Sequence, residues 1–99
     1  MNNVQLLEMS KKNLPKTNRG TYKIILHDDN KNTFDDVIDS LMDVCGHGYF
    51  QSVQCAIITH QSKQCSILHD NYETCIKISQ ELSKLGLKVS VEKCSGSQK

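Results

Sequence analysis

The stretch that most constrains this fold is 22–39, where a short apolar segment passes through an oxygen-rich turn into an amphipathic helix. Its first five residues are rich in aromatic and β-branched side chains, which is typical of a strand. The turn holds three consecutive polar residues, Asp28, Asp29 and Asn30. Thr33 is a predicted N-cap, with Asp36 in the capping-box position. A strand joined so closely to a helix needs a sheet on which that helix can pack.

Two further stretches show helical spacing after the turn. The first helix should run from Phe34 to Cys45, and Gly46 ends it because glycine readily adopts a left-handed C-terminal cap. The second fits residues 49–61. Its apolar stripe consists of Phe50, Val53, Ile57 and His60.

The second half of the chain predicts a strand at 65–68, a third helix and a last strand at 87–91. Asp70 is the N-cap candidate of the third helix, with Glu73 in the capping-box position, and Gly86 is its C-cap. The predicted order is strand, helix, helix, strand, helix, strand. This order indicates an α+β domain in which a small three-stranded antiparallel sheet packs against three helices.

The folded part should span residues 21–93. Residues 1–20 lack sustained periodicity and contain Pro15, so we expect a flexible N-terminal tail, with a disordered end at 94–99. A domain of this size supports one small core but no deep internal cavity. A shallow surface pocket is therefore the expected kind of binding site.

Charge and composition exclude several classes of function. The net charge is +1 and aromatic residues make up 5%, which argues against a nucleic-acid-binding protein. No apolar run approaches the ~20 residues of a membrane span, and no secretory signal is visible, so we expect a cytoplasmic protein. Five cysteines occur without a CxxC pair, and we expect them to be reduced apolar residues.

One use of the oxygen-rich turn would be a calcium loop. Asp28, Asn30 and Asn32 match positions 1, 3 and 5 of the EF-hand pattern, and Asp39 matches position 12. Thr33 stands where the pattern needs glycine for its sharp turn, which weakens this interpretation. We expect no cofactor.

Catalysis is a second use, through His60 with a cysteine or through a dyad of Asp28 and Asp29. No activating third group can be named, so we expect no catalytic residues and no enzyme. A metal site built from His47, His60, His69 and the cysteines lacks the spacing of known sites.

A third use is capture of a terminal amine. A carboxylate beside an apolar hollow favours an ammonium group, because charge-assisted hydrogen bonds are about twice as strong as neutral ones. A neutral histidine can accept one of the ammonium protons. The residues by themselves leave these alternatives open.

The pattern Tyr-Lys-Ile-Ile-Leu-x-Asp-Asp-Asn, followed by Phe-x-x-Val-Ile-x-x-Leu, resembles the start of the ClpS core domain. The resemblance continues to His60, resumes at Glu73 and Thr74, and covers about residues 21–93. It implies an adaptor without catalytic activity. Such adaptors bind an N-terminal Leu, Phe, Tyr or Trp in a small apolar pocket and deliver the substrate to a Clp-family ATP-driven unfoldase and its protease.

The resemblance also implies roles for individual residues. The α-amino group would be bound by Asp28, Asp29 and His60, and the pocket would be formed by Asn32, Phe34, Ile57, Ile58, Thr59 and Leu87. Asp70, Glu73 and Cys75 would face the N-terminal domain of the AAA+ unfoldase, and Ile25, Leu41 and Ile57 would lie in the core. A monomer is expected, with no nucleic-acid or membrane partner.

Four positions depart from the family pattern. Asp28 replaces Asn, Phe34 replaces the gating Met, Thr59 replaces an apolar residue, and Cys75 replaces Lys. These departures leave two hypotheses beside the adaptor function. The chain could be a ClpS-like module that binds the unfoldase without recognising N-terminal residues, or a small metal-binding protein.

Overall fold

The computed structural model describes residues 21–94. Its elements, in chain order, are β1 (Tyr22–His27), α1 (Phe34–Cys45), α2 (Tyr49–Ser62), β2 (Gln64–Asp70), α3 (Tyr72–Lys84) and β3 (Val89–Lys93). The predicted order and the predicted α+β fold class are confirmed. The predicted tail at 1–20 and, apart from Cys94, the predicted C-terminal end lie outside the described residues.

The sheet has the order β2-β1-β3, and β1 pairs antiparallel with both neighbours. Ile24 lies opposite Leu68 on β2 and Val91 on β3. The pairing with β2 shifts after Ile24, which leaves Ile67 as an extra residue on the β2 side. Since β1 is paired on both edges, the turn that follows it starts from a well-held position.

The core lies between this sheet and the three helices. Its buried cluster draws on every helix and on the two longer strands: Ile24, Leu26, Leu41, Cys55, Ile67, Cys75, Leu82 and Leu87. Ile25 and Leu41 are buried, as predicted. The α1 capping box is also confirmed, because the Thr33 hydroxyl accepts from Asp36 N–H and the Asp36 carboxylate accepts from Thr33 N–H.

The orientation of α2 differs from the prediction that Ile57 lies in the core. Ile57 is 38% exposed, and the buried residues of α2 are small or polar: Ser52, Cys55, Ala56 and Thr59. Small side chains allow the helix backbone to approach its neighbours closely, so this face packs inward. The larger apolar residues are left on the outside of the helix.

The start of α3 is a second correction. Asn71, not Asp70, is the N-cap, and its side chain accepts from Thr74 N–H at 2.8 Å. Asp70 is instead the last residue of β2. At the other end, Leu87 N–H bonds back to Leu82 C=O at 3.1 Å, which keeps Leu87 in the turn and delays β3 until Val89.

All five cysteines are free thiols. Burial raises the pKa of Cys45 to about 11. The pKa of Cys55 is raised to about 12, and burial is the largest cause. Both thiols are therefore protonated near neutral pH, which suits packing residues. None of the helices within 21–94 is long and apolar enough to cross a membrane.

The two leucines near the end of α3 allow a paired test of the core. Leu82 is 0% exposed and Leu85 is 52% exposed. Leu82→Ala should lower the free energy of unfolding by about 2–5 kcal/mol, because it leaves a cavity. Leu85→Ala should change it by about 0.5 kcal/mol or less. Urea denaturation followed by circular dichroism measures both, and equal losses would contradict the packing described.

Candidate functional site

A surface cavity of about 700 Å³ opens at the end of β1, between the start of α1 and the second half of α2. Its size falls in the range of small-molecule pockets, roughly 300–1,000 Å³. The lining comprises Leu26, His27, Asp28, Asp29, Asn30, Asn32, Thr33, Phe34, Val37, Ala56, Thr59, His60 and Lys88. The polar members cluster where β1 turns towards α1, and the apolar members come from β1, α1 and α2.

Backbone hydrogen bonds hold the end of β1 from both sides. His27 N–H donates to Lys88 C=O at 2.8 Å, and Asp28 N–H donates to Lys63 C=O at 2.9 Å. Lys63 ends α2 in the left-handed conformation, with φ of 76°. This turn brings the last part of α2, with His60, beside Asp28.

Asp28 lies between two basic side chains. Its Oδ1 is 3.9 Å from His60 Nδ1, and its Oδ2 is 3.9 Å from Lys63 Nζ. Both contacts are long, and His60 and Lys63 are largely exposed, so each attraction is weak. Asp28 therefore keeps acceptor capacity at the rim of the cavity.

Asp29 organises the turn itself. Its Oδ1 accepts from Lys31 N–H at 2.8 Å and from Asn32 N–H at 3.0 Å, and its Oδ2 accepts from Asn32 Nδ2 at 3.2 Å. The hydrogen bond from Asn32 N–H is the largest cause that lowers the Asp29 pKa below its ordinary value of 3.8. An ionised carboxylate offers about four lone-pair sites, so Oδ2 retains room for one more donor.

Asn32 ties this turn to the other side of the domain. Its Nδ2 also donates to Gly86 C=O at 2.9 Å, in the turn between α3 and β3. Gly86 has φ of 94°, a conformation that L side chains rarely adopt. The end of β1 and the turn that follows it are thus hydrogen-bonded to three other places along the chain: Lys63 after α2, Gly86 after α3 and Lys88 before β3.

Phe34 and His60 stand together at the mouth of the cavity. Their rings meet edge to face, with centroids 5.8 Å apart and an interplanar angle of 76°. Phe34 is 46% exposed, so its ring borders both the cavity and solvent. This position is suited to contact with a ligand that enters the cavity.

The inner wall contains residues that sequence reasoning did not select. Leu26, Val37 and Ala56 line the cavity beside Thr59. The buried Thr59 hydroxyl is satisfied, because it donates to Cys55 C=O at 2.8 Å. Ala56 precedes Thr59 by three residues, so helical spacing from Thr59 was the signal that could have found it.

Three predicted pocket residues lie elsewhere. Ile57 and Ile58 are exposed and do not line the cavity. Leu87 is buried in the core cluster. The cause is the orientation of α2: its Ala56 and Thr59 face turns inward, so the two isoleucines point away from the wall.

The residues predicted to face an unfoldase lie at the opposite end of β1. Tyr22 begins that strand, and the centroids of its ring and the Tyr72 ring are 5.0 Å apart. Both rings line a shallow hollow that Glu73 also lines. Glu73 is exposed in the first turn of α3. The prediction that Cys75 faces a partner is wrong, because this residue is fully buried and cannot contact a partner directly.

The metal alternatives find little support in the geometry of the turn. Asp29 directs its oxygens at N–H groups of Lys31 and Asn32, as in an Asx turn. Within residues 21–94, no three His, Cys, Asp or Glu side chains are arranged to hold a metal ion.

Comparisons with known proteins agree with this architecture. Residues 17–90 match the family model of the ATP-dependent Clp protease adaptor protein ClpS. A solved structure, Agrobacterium tumefaciens ClpS2 bound to L-phenylalaninamide, matches with a TM-score of 0.72 and 16% sequence identity. The match covers 74% of this chain and 95% of that chain, and at this identity it shows the fold. No curated protein sequence matches the chain.

The lowered pKa of Asp29 predicts a specific dependence of stability on pH. In the unfolded chain this carboxyl has its ordinary pKa, 3.8, so its ionised form stabilises the fold above that pH. The stabilisation is lost as the pH falls through the lower pKa of the folded state. Asp29→Asn keeps an acceptor oxygen but cannot titrate. The Tm difference between wild type and variant should be largest above about pH 4 and should shrink below it.

Differential scanning calorimetry between about pH 2 and pH 7 makes this measurement, over the range where carboxyl groups titrate. Asp39→Asn, at an exposed position in the middle of α1 and outside the cavity lining, is the matched control, because it lies away from the helix N-terminus. A Tm difference for Asp29→Asn that stays constant with pH would show that the carboxylate does not stabilise the turn.

Proposed function

Since this chain belongs to the ClpS family of ATP-dependent Clp protease adaptor proteins, we propose that it binds the N-terminal residue of substrate proteins and delivers them to a Clp unfoldase. The observation that carries this proposal is one cavity with two carboxylates and a histidine at its rim and apolar side chains inside. Such a cavity suits a ligand with a cationic end and an apolar side chain attached close to it.

The α-amino group would sit between Asp28, Asp29 and His60. An ammonium group has three donors, and this rim offers the Asp29 Oδ2 site, the Asp28 carboxylate and an imidazole nitrogen. Peptide ammonium would compete with Lys63 for Asp28, but Lys63 is 3.9 Å away and mostly exposed. Its displacement therefore costs little.

The first side chain would enter the apolar part of the cavity. Leu26, Val37 and Ala56 line this part, and Phe34 lies at the mouth beside His60. Ala56 is a small residue, which leaves depth for a bulky side chain such as Leu, Phe, Tyr or Trp. The ligand of the A. tumefaciens ClpS2 structure, L-phenylalaninamide, pairs an amino group with an aromatic side chain in the same way.

Delivery needs a second surface that remains free while substrate is bound. Glu73 and the end of β2 at Asp70 lie beside the start of β1, whereas the cavity lies at its end. Six strand residues separate these places by about 20 Å. We assign the contact with the N-terminal domain of a Clp-family unfoldase to the surface around Glu73.

N-terminal acetylation tests the recognition of the amine. Peptides that begin with Phe or Leu should bind the wild-type chain, and the same peptides should bind about 10- to 100-fold more weakly after acetylation. The physical reason is the loss of charge-assisted hydrogen bonds to Asp28 and Asp29. Isothermal titration calorimetry measures the affinities, with a peptide that begins with Gly as control.

Equal binding of acetylated and free peptides would exclude the amine mechanism. If no peptide binds while the chain still binds a Clp unfoldase, the chain is an interaction module without recognition of N-terminal residues.

Substitution of Ala56 tests whether the depth of the cavity governs peptide affinity. Ala56→Leu should fill part of the cavity and weaken binding of Phe and Trp peptides by about tenfold or more, with a smaller loss for Leu peptides. Ala56→Ser is the matched control, because it keeps the volume small. Fluorescence anisotropy measures the affinities, and thermal unfolding checks that both variants fold. Equal losses in the two variants would show that cavity depth does not govern binding.

A further inference from the structure

A row of apolar side chains on the outside of α2 has no role in the cavity described above. We name Phe50, Val53 and Ile57 the α2 stripe; their spacing of three and four residues places them on one helical face. Phe50 is 74% exposed and Ile57 is 38% exposed. Exposed apolar patches of this kind commonly mark surfaces that bind a partner.

The α2 stripe is continuous with the mouth of the cavity. His60 follows Ile57 by three residues on the same helical face; it lines the cavity, and its ring contacts that of Phe34. From His60 this face runs back along the helix through the stripe to Phe50, a distance of about 15 Å for ten residues. A ligand that leaves the cavity past His60 therefore meets this surface next.

The chemistry of α2 selects the kind of ligand. The helix contains no Asp, Glu, Lys or Arg, so the stripe offers no charge to a charged segment. A folded partner needs roughly 800 Å² on each side, whereas one face of three helical turns is a narrow strip. An extended peptide fits this shape, since about 15 Å corresponds to four or five residues at ~3.3 Å each.

We propose that the α2 stripe binds the second to fifth residues of the substrate chain and favours apolar side chains there. This inference rests on the proposed function, because the first residue must occupy the cavity to place the following ones on the stripe. The chain would thus recognise a short apolar N-terminal segment, rather than one terminal residue alone.

Two peptides and two variants test the proposal. Both peptides begin with Phe and carry equal charge; one continues with Val and Leu residues and the other with Gly and Ser. Ile57→Ser removes an apolar side chain from the stripe. Ile58→Ser is its matched control, because Ile58 is 42% exposed on the same helix but points about 100° away. Titration calorimetry measures the affinity of the wild type and of each variant for each peptide. Light scattering records the oligomeric state.

The wild type should bind the apolar peptide about fivefold more tightly than the Gly/Ser peptide. Ile57→Ser should abolish this difference and leave the affinity for the Gly/Ser peptide unchanged, while Ile58→Ser should preserve the difference.

Equal wild-type affinities for the two peptides, with both still dependent on a free amine, would overturn the stripe proposal and leave the proposed function intact. Equal losses in the two serine variants would also overturn it. So would a wild-type dimer that Ile57→Ser dissociates without changing peptide affinity, because the occupant would then be a second copy. If no peptide binds the wild type at all, the proposed function fails first and the stripe proposal fails with it.

Discussion

The candidate site depends on how the end of β1 is held. His27 and Asp28 each donate a backbone hydrogen bond, one to Lys88 before β3 and the other to Lys63 after α2. These two bonds bring together segments that are far apart in the chain, and they set the position from which the turn at Asp29 leaves the sheet. His60 reaches Asp28 only because α2 ends in a left-handed residue that returns the chain to this edge.

The two adjacent carboxylates at the rim have different surroundings. Asp29 is bound by N–H groups of its own turn, which lowers its pKa, whereas Asp28 lies near two basic side chains. One carboxylate therefore acts mainly as a structural acceptor with one site to spare, and the other remains open to a ligand. Under the proposed function, the open carboxylate of Asp28 is the one that a cationic chain end would meet first.

The two faces of α2 differ in the size and the burial of their side chains. The inward face, with Ser52, Cys55, Ala56 and Thr59, is small enough to pack closely and to leave a cavity beside Ala56. The apolar stripe that faces outward continues from the cavity mouth. An ordinary amphipathic helix would bury its bulky stripe, and this inversion is what makes the stripe a candidate extension of the candidate site.

Local chemistry in the sequence determined the element order, the capping box at Thr33 and the end of α1 at Gly46, because capping and periodicity act over a few residues. The family pattern around Asp28 was also visible in the sequence by itself. The tertiary structure decided which stripe of α2 faces the core. Periodicity finds a helical face, but packing chooses between two faces, and here small residues pack closer than large ones. The same choice turned Ile57 and Ile58 outward and placed Ala56 in the cavity wall.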